Sequence, residues 1–306
     1  MIIRSPAEDI VRLFPPDGAR GIIEGLFGGG ICADEIRLRC ERPLSYVKGT
    51  ECFYLDADGA RCDVGDAYMV RAKEVRGVFR SVCENSVYAY IDEIRQGFVT
   101  IRGGHRVGFC GRAVCGADGR VENFRDINSV NIRIARQVKG CADGVIQKIC
   151  GSGVKSALII SPPGRGKTTL LRDIVRQISD SGIKVGVADD RSEISAMYHG
   201  VPQNDIGINT DVVENADKAD AVQILQRTMS PSVIATDEVV TAAEVDALCR
   251  AAGTGISIIA SVHGSGFDEV REKNALSPLF EGNVFDMLIL IRDRDDAGLL
   301  TEVLEL

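Results

Sequence analysis

Eight consecutive residues, Ser161-Pro-Pro-Gly-Arg-Gly-Lys-Thr168, bring two glycines, a cation and a hydroxyl into one short run. The chemistry such a run can do is phosphate binding. A loop that cradles phosphate turns its backbone N–H groups onto anionic oxygens. That needs positive φ and close approach, and Gly164 and Gly166 permit both. Lys167 is expected to bridge the outer phosphates, and the Thr168 hydroxyl to bind Mg2+. The helix that follows would aim its positive N-terminus at the anion. The candidate nucleotide contacts are therefore Ser161, Pro162, Pro163, Gly164, Arg165, Gly166, Lys167, Thr168 and Thr169. The phosphate-loop pattern G-x-x-x-x-G-K-S/T is met at its end, but Ser161 replaces the first glycine. If that position needs positive φ, serine there is strained by ~1 kcal/mol and nucleotide affinity falls. A chance Gly/Pro-rich loop is the plain alternative, and the apolar segment before it and the amphipathic one after it count against that.

Acids and a histidine stand where such a loop needs them. Val233-Ile-Ala-Thr-Asp237-Glu238 reads as a strand ending in two carboxylates. Asp237 is expected to hold Mg2+ through its water shell, and Glu238 to position or deprotonate an attacking water; a solvated helix cap is the alternative. Asp189-Asp-Arg-Ser-Glu193 ends another strand. Glu193 or Asp190 would help position water or Mg2+ there, unless Ser192 or Asp190 merely caps a helix. His263 closes a further apolar run and would donate a hydrogen bond to the γ-phosphate.

These groups can meet only if the elements bearing them share one sheet. Residues 156–160, 184–189, 232–236 and 256–262 read as strands, alternating with a helix that carries Leu170, Leu171, Ile174, Val175 and Ile178 on one face and with helices at 217–229 and 242–252. Such alternation builds a mostly parallel sheet covered on both faces, with ligands at the carboxyl ends of its strands. Residues 284–291 and 299–304 read as a closing hairpin across Asp295-Asp-Ala-Gly298, and 203–215 as a loop. The earlier half is different: short helices at 7–14 and 21–27, a longer one over 72–90, and strands at 35–39, 97–104, 105–114 and 130–134. A small α+β domain, 1–142, before an α/β domain, 143–306, is expected.

The chain has 306 residues, of which 45% are hydrophobic and 26% charged, enough for two globular cores. Arg4, Glu8 and Asp9 interrupt any signal-like run, and no stretch reaches the ~20 apolar residues of a membrane span. A cytosolic protein, peripheral to a membrane through partners, is the expectation. Ten cysteines are scattered with no C-x-x-C pair, as reduced thiols would be. The net charge of −8 disfavours a dedicated DNA-binding protein, yet 95–139 holds a local basic excess that includes Arg120, Arg133 and Arg136 against few acids such as Asp118.

Several longer runs resemble the stage III sporulation protein AA family: Val187-Ala-Asp-Asp-Arg-Ser-Glu-Ile-Ser, Gly200-Val-Pro-Gln-Asn-Asp-Ile-Gly, Arg227-Thr-Met-Ser-Pro-Ser-Val-Ile, Ser261-Val-His-Gly264, Gly103-Gly-His-Arg-Val-Gly108 and Asn131-Ile-Arg-Ile-Ala-Arg136. That family is similar to the hexameric ATPases of type II and type IV secretion and pilus retraction. The resemblance implies a RecA-like P-loop ATPase domain behind a small N-terminal domain, with Walker A, acidic, Walker B and histidine boxes at 161–168, 189–193, 233–238 and 263. It implies Mg2+-dependent ATP hydrolysis by a homohexamer on the mother-cell side of the outer forespore membrane, partnered by the sporulation channel proteins. It also implies that N-terminal arginines, Arg133 and Arg136 first, then Arg102 and Arg106, reach the nucleotide phosphates. Thr236-Asp-Glu-Val-Val-Thr departs from the Gly-Glu-Ile-Arg form of the secretion relatives. The expected catalytic set is Glu238, Glu193, His263, Arg133 and Arg136, with Thr168 and Asp237 on the metal. A nucleotide-binding hub that needs no hydrolysis, and a nucleic-acid-binding ATPase, are the alternatives.

Overall fold

The computed structural model describes residues 6–306 apart from 17, 118, 120, 152, 296 and 297. The leader reading at residues 1–5, the charges Asp118 and Arg120, and the tip of the expected closing turn at 296–297 lie outside the described residues.

Polar and apolar residues alternate through Glu35–Arg39, and the strand buries Ile36 and Leu38 while its other three residues stay half-buried. This strand lies at the centre of an antiparallel sheet in the order Arg61–Cys62, Glu51–Leu55, Ser45–Lys48, Glu35–Arg39, Val121–Arg133, Arg106–Cys115, Phe98–Thr100. Helices Ala19–Gly28 and Ala72–Val82 contribute Ile23, Leu26, Val75 and Val78 to a core shared with Ile36, Leu38 and Ile132. The expected helix over 72–90 stops at Val82, because Glu84 and Asn85 turn left-handed, with φ 48 and 61. A 3-10 turn, Val87–Tyr90, and the helix Ile91–Gln96 follow. The strand expected at 130–134 is the end of a much longer one, Val121–Arg133.

The second unit is built on near-continuous apolar strands, as a sheet buried on both faces requires. Its order is Thr210–Glu214, Val185–Asp189, Val233–Thr236, Ser257–His263, Ala157–Ser161, Met287–Asp295, Gly298–Glu305. All neighbours run parallel except the last pair. Alternate residues serve opposite faces: Leu158 and Ile160 join a core with Leu225 and Leu248, whereas Ala157 and Ile159 join one with Leu170 and Ile174. Residues 203–215 are not all loop, since Thr210–Glu214 forms the edge strand. Every residue of that strand is only half-buried, so it lacks the apolar run that marks its neighbours.

The chain divides into compact units Met1–Arg136 and Gln137–Leu306. The division precedes the expected break after 142, because residues 137–142 bond within the second unit. Gln137 and Asp205 exchange two hydrogen bonds of 2.7 and 2.9 Å, Lys139 pairs with Asp205 at 2.5 Å, and the Ala142 N–H donates to Asp173 at 2.9 Å.

Candidate active site

The parallel register decides which side chains meet. Ser161 pairs with His263, and Thr236 lies opposite Ala260 on one side and Ala188 on the other. The loop at 162–166, Asp237, His263 and Asp189 therefore emerge at one edge of the sheet, at strand carboxyl ends.

Ser161 is the last residue of its strand and fully buried, and it is not among the residues with positive φ. The strain expected of serine there is absent. Its hydroxyl donates to the Pro162 carbonyl at 2.7 Å, and its own carbonyl accepts the Gly264 N–H at 3.2 Å. The left-handed positions are Gly164 and Gly166, with φ 75 and 96. A side chain at Gly164 would meet nothing, whereas one at Gly166 would press on Leu299 at 3.2 Å. The helix Lys167–Asp180 starts directly after Gly166, so its free N–H groups face the loop. Pro163 and Arg165 are exposed, Thr169 is half-buried, and Arg165 donates to Asp293 at 2.8 Å.

Two linked networks occupy the strand ends. The Thr168 hydroxyl donates to Asp237 Oδ2 at 2.5 Å, and the Ser261 hydroxyl donates to Asp237 Oδ1. In the second, Lys167 Nζ lies 2.8 Å from His263 Nδ1, and His263 Nε2 lies 2.8 Å from Glu238 Oε1. An ammonium only donates, so Nδ1 accepts, and the Nε2–H donates a hydrogen bond to the Glu238 carboxylate. Burial lowers the Lys167 pKa, while the carboxylates of Asp237, Glu238 and Glu193 pull it back toward the charged form. The other Glu238 oxygen accepts from Arg191 at 3.2 Å.

Asp189 turns away from these groups and organises its own turn. Its Oδ1 accepts the N–H of Glu193 and Ile194 at 2.8 and 3.2 Å, and its Oδ2 accepts the N–H and hydroxyl of Ser195 at 2.8 and 2.6 Å. No helix begins at 190–196, so neither Ser192 nor Asp190 caps one. Glu193 is half-buried, with its backbone fixed and its carboxylate within electrostatic reach of Lys167.

The N-terminal arginines belong to the first unit and engage acids there. Arg133 lies 3.7 Å from Glu35, and Arg136 pairs with Asp34 at 3.1 Å and donates to the Ala33 carbonyl at 2.7 Å. The Arg106 guanidinium lies 4.9 Å from the centre of the Phe98 ring. Arg102 is exposed and has no ion-pair partner among the described residues. Three members of the local basic excess, Arg133, Arg136 and Lys139, are thus paired with acids distant in sequence.

Three residues of the site escaped the sequence reading. Arg172 lies beside the apolar face of the loop helix, not within it, and donates to the carbonyls of Glu193 and Ile194 at 2.6 and 3.0 Å. Its place among the polar positions of that helix gave no signal. Ser261 shares a strand face with His263, two residues on, which the period of two makes visible. Lys218 is buried beside Glu238, and nothing in its sequence surroundings marks it.

The residues fit a magnesium nucleotide. Two left-handed glycines leave the loop backbone open to phosphate. One hydroxyl and one carboxylate match an ion that keeps several waters and is otherwise bound by phosphates. Among the described residues, no group of three or more His, Cys, Asp or Glu forms an all-protein metal cage.

The family model for sporulation stage III, protein AA matches residues 31–305. Stage III sporulation protein AA of Bacillus subtilis (strain 168) is 34% identical over 276 residues, covering 88% of this chain and 86% of that protein. The chain belongs to the stage III sporulation protein AA family. Solved structures extend the likeness at the level of fold. The Legionella pneumophila ATPase DotB superposes with a TM-score of 0.61 at 17% identity, covering 95% of this chain and 82% of its own. The pilus retraction motor PilT with bound ADP gives 0.62 at 18% identity, covering 93% and 82%. The family member described here thus has the secretion-ATPase fold, a RecA-like α/β domain behind a small α+β domain. No helix among the described residues is long and apolar enough to cross a membrane.

Proposed function

We propose that this chain is a Mg2+-dependent ATPase that works as a motor in endospore formation. The observation that carries this reading is the meeting of Thr168 with Asp237, and of Lys167 with His263 and Glu238, at one sheet edge. Glu238 accepts a proton from water aimed at the γ-phosphorus. His263, held between Lys167 and Glu238, links the loop cation to that base. Lys167 would exchange His263 for the phosphates, and Thr168 and Asp237 would hold the metal. Bound Mg2+ supplies neutralising charge for the phosphates. Arg133 and Arg136 remain the arginines proposed to neutralise charge on the transferred phosphoryl group, and each is paired here with an acid, Glu35 or Asp34. Hydrolysis in a homohexamer would drive a channel partner at the outer forespore membrane from the mother-cell side.

Purified protein should release phosphate from ATP only with Mg2+. Lys167→Ala should lose nucleotide binding. Glu238→Gln should keep binding and lose turnover by ~100-fold or more. Absent turnover, together with normal sporulation of a Lys167→Ala strain, would overturn the reading. Unimpaired sporulation of a Glu238→Gln strain would favour a hub that needs binding alone. The serine in place of the first glycine motivates that hub, and the unstrained Ser161 backbone weakens the motive; the acid-paired arginines weaken a nucleic-acid role.

A further inference from the structure

A buried ammonium that none of these roles uses lies behind Glu238. Lys218 opens the helix Lys218–Thr228, directly after its cap Asp217, and its side chain is 7% exposed. Its Nζ donates to the main-chain carbonyl of Glu238 at 2.9 Å, with Asp190 Oδ1 at 3.6 Å and Glu244 Oε1 at 3.9 Å. Three elements converge on it. Asp190 follows the strand Val185–Asp189, Glu238 follows the strand Val233–Thr236 by two residues, and Glu244 lies in the first turn of the helix Ala242–Gly253. A buried ammonium is tolerable only where charges and carbonyls surround it, and here they do.

The Glu238 backbone shows what this charge accomplishes. Its φ of 48 is left-handed, a region that side-chain-bearing residues avoid. Such a conformation persists only where its surroundings over-determine it. The Glu238 N–H donates to both the Ser261 hydroxyl and Asp237 Oδ1 at 3.0 Å, and the next N–H, of Val239, donates to the Ser261 carbonyl at 2.9 Å. Lys218 supplies the remaining anchor, on the carbonyl. The carboxylate follows the backbone and lands 2.8 Å from His263.

We propose that Lys218 is a positioning residue whose ammonium holds Glu238 in the left-handed conformation that aims its carboxylate at His263 and at the attacking water. This inference rests on the hydrolytic reading above. Lys218→Met keeps the length of the side chain and removes its charge; Lys218→Gln keeps a donor. In the nucleotide-free full chain, hydrogen exchange at the 238 and 239 amides should quicken ~10-fold in Lys218→Met, and less in Lys218→Gln. ATP turnover should fall ~10- to 100-fold, with nucleotide Kd within ~3-fold of wild type. The double variant Lys218→Met/Glu238→Gln should turn over no more slowly than Glu238→Gln alone, because both changes disable one group. Unchanged exchange and turnover in Lys218→Met would overturn the inference, as would a multiplicative loss in the double variant. If Lys218→Met does not fold, Lys218→Gln carries the same comparisons. A wild type without turnover fells the hydrolytic reading and this inference with it. An active wild type beside an unaffected Lys218→Met fells this inference alone.

Discussion

His105 explains the Gly-Gly-His run that the proposed nucleotide site leaves unused. Its Nδ1 accepts the Ala135 N–H at 3.0 Å, so Nε2 carries the proton, and that atom is buried with no hydrogen-bond partner among the described residues. A side chain at Gly103 would lie 2.8 Å from Nε2, on a backbone with φ of 79, so glycine is required there. Burial drives the His105 pKa from 6.5 to about 4, with Asp9 opposing. The unfolded chain therefore binds more protons than the folded one between pH 6.5 and 4. This contribution to stability is whole above 6.5 and is lost as pH falls to about 4, on the order of 3 kcal/mol in all. His105→Gln should flatten that slope, as read from urea unfolding of both proteins across the window. The residues of the proposed hydrolytic site were legible as types, a lysine, a threonine, two acids and a histidine. Their partners were not. Nothing local to Lys167 says that His263, 96 positions away, accepts its proton-bearing end.

The turn at 189–195 is built by two side chains acting on opposite backbone groups. Asp189 takes its N–H groups, and Arg172 takes its carbonyls. Asp189→Ala would strand buried donors, so thermal unfolding should report a loss of about 2–3 kcal/mol. Because Glu193 rides on this turn, ATP turnover should also fall while nucleotide binding persists. At the start of the helix Ala242–Gly253, Thr241 accepts the Glu244 N–H at 3.2 Å, and Glu244 returns a bond to the Thr241 N–H at 2.8 Å. Thr241→Ala should cost about 1 kcal/mol in denaturant unfolding, the usual worth of such a cap. Elements with strong periodicity were the readable ones. The helix Lys167–Asp180 buries Leu170, Leu171, Ile174, Val175 and Ile178 completely, as its spacing requires. The break after Val82 was not readable, because Glu84 and Asn85 take left-handed geometry that their residue types permit without demanding. The strand Val121–Arg133 has too few buried residues to betray its first half.

At the scale of the molecule, the proposed motor needs a ring, and a ring closes through one repeated head-to-tail interface. Light scattering of the purified chain should show a mass shift toward a hexamer on adding Mg2+-ATP, and Lys167→Ala should abolish the shift. The sequence by itself determined the two halves with different strand patterns, the apolar strands of the second sheet and the glycine-rich loop, because each is written in residues a few positions apart. The tertiary structure alone decided the strand order that sets Asp237 and His263 beside that loop. It also decided the left-handed turn of Glu238 over Lys218, and the pairing of Arg133 and Arg136 with Glu35 and Asp34. The physical reason is that periodicity reports which face of one segment is buried. Which atoms meet depends on the register between segments tens of residues apart, and only the packed sheet sets that register.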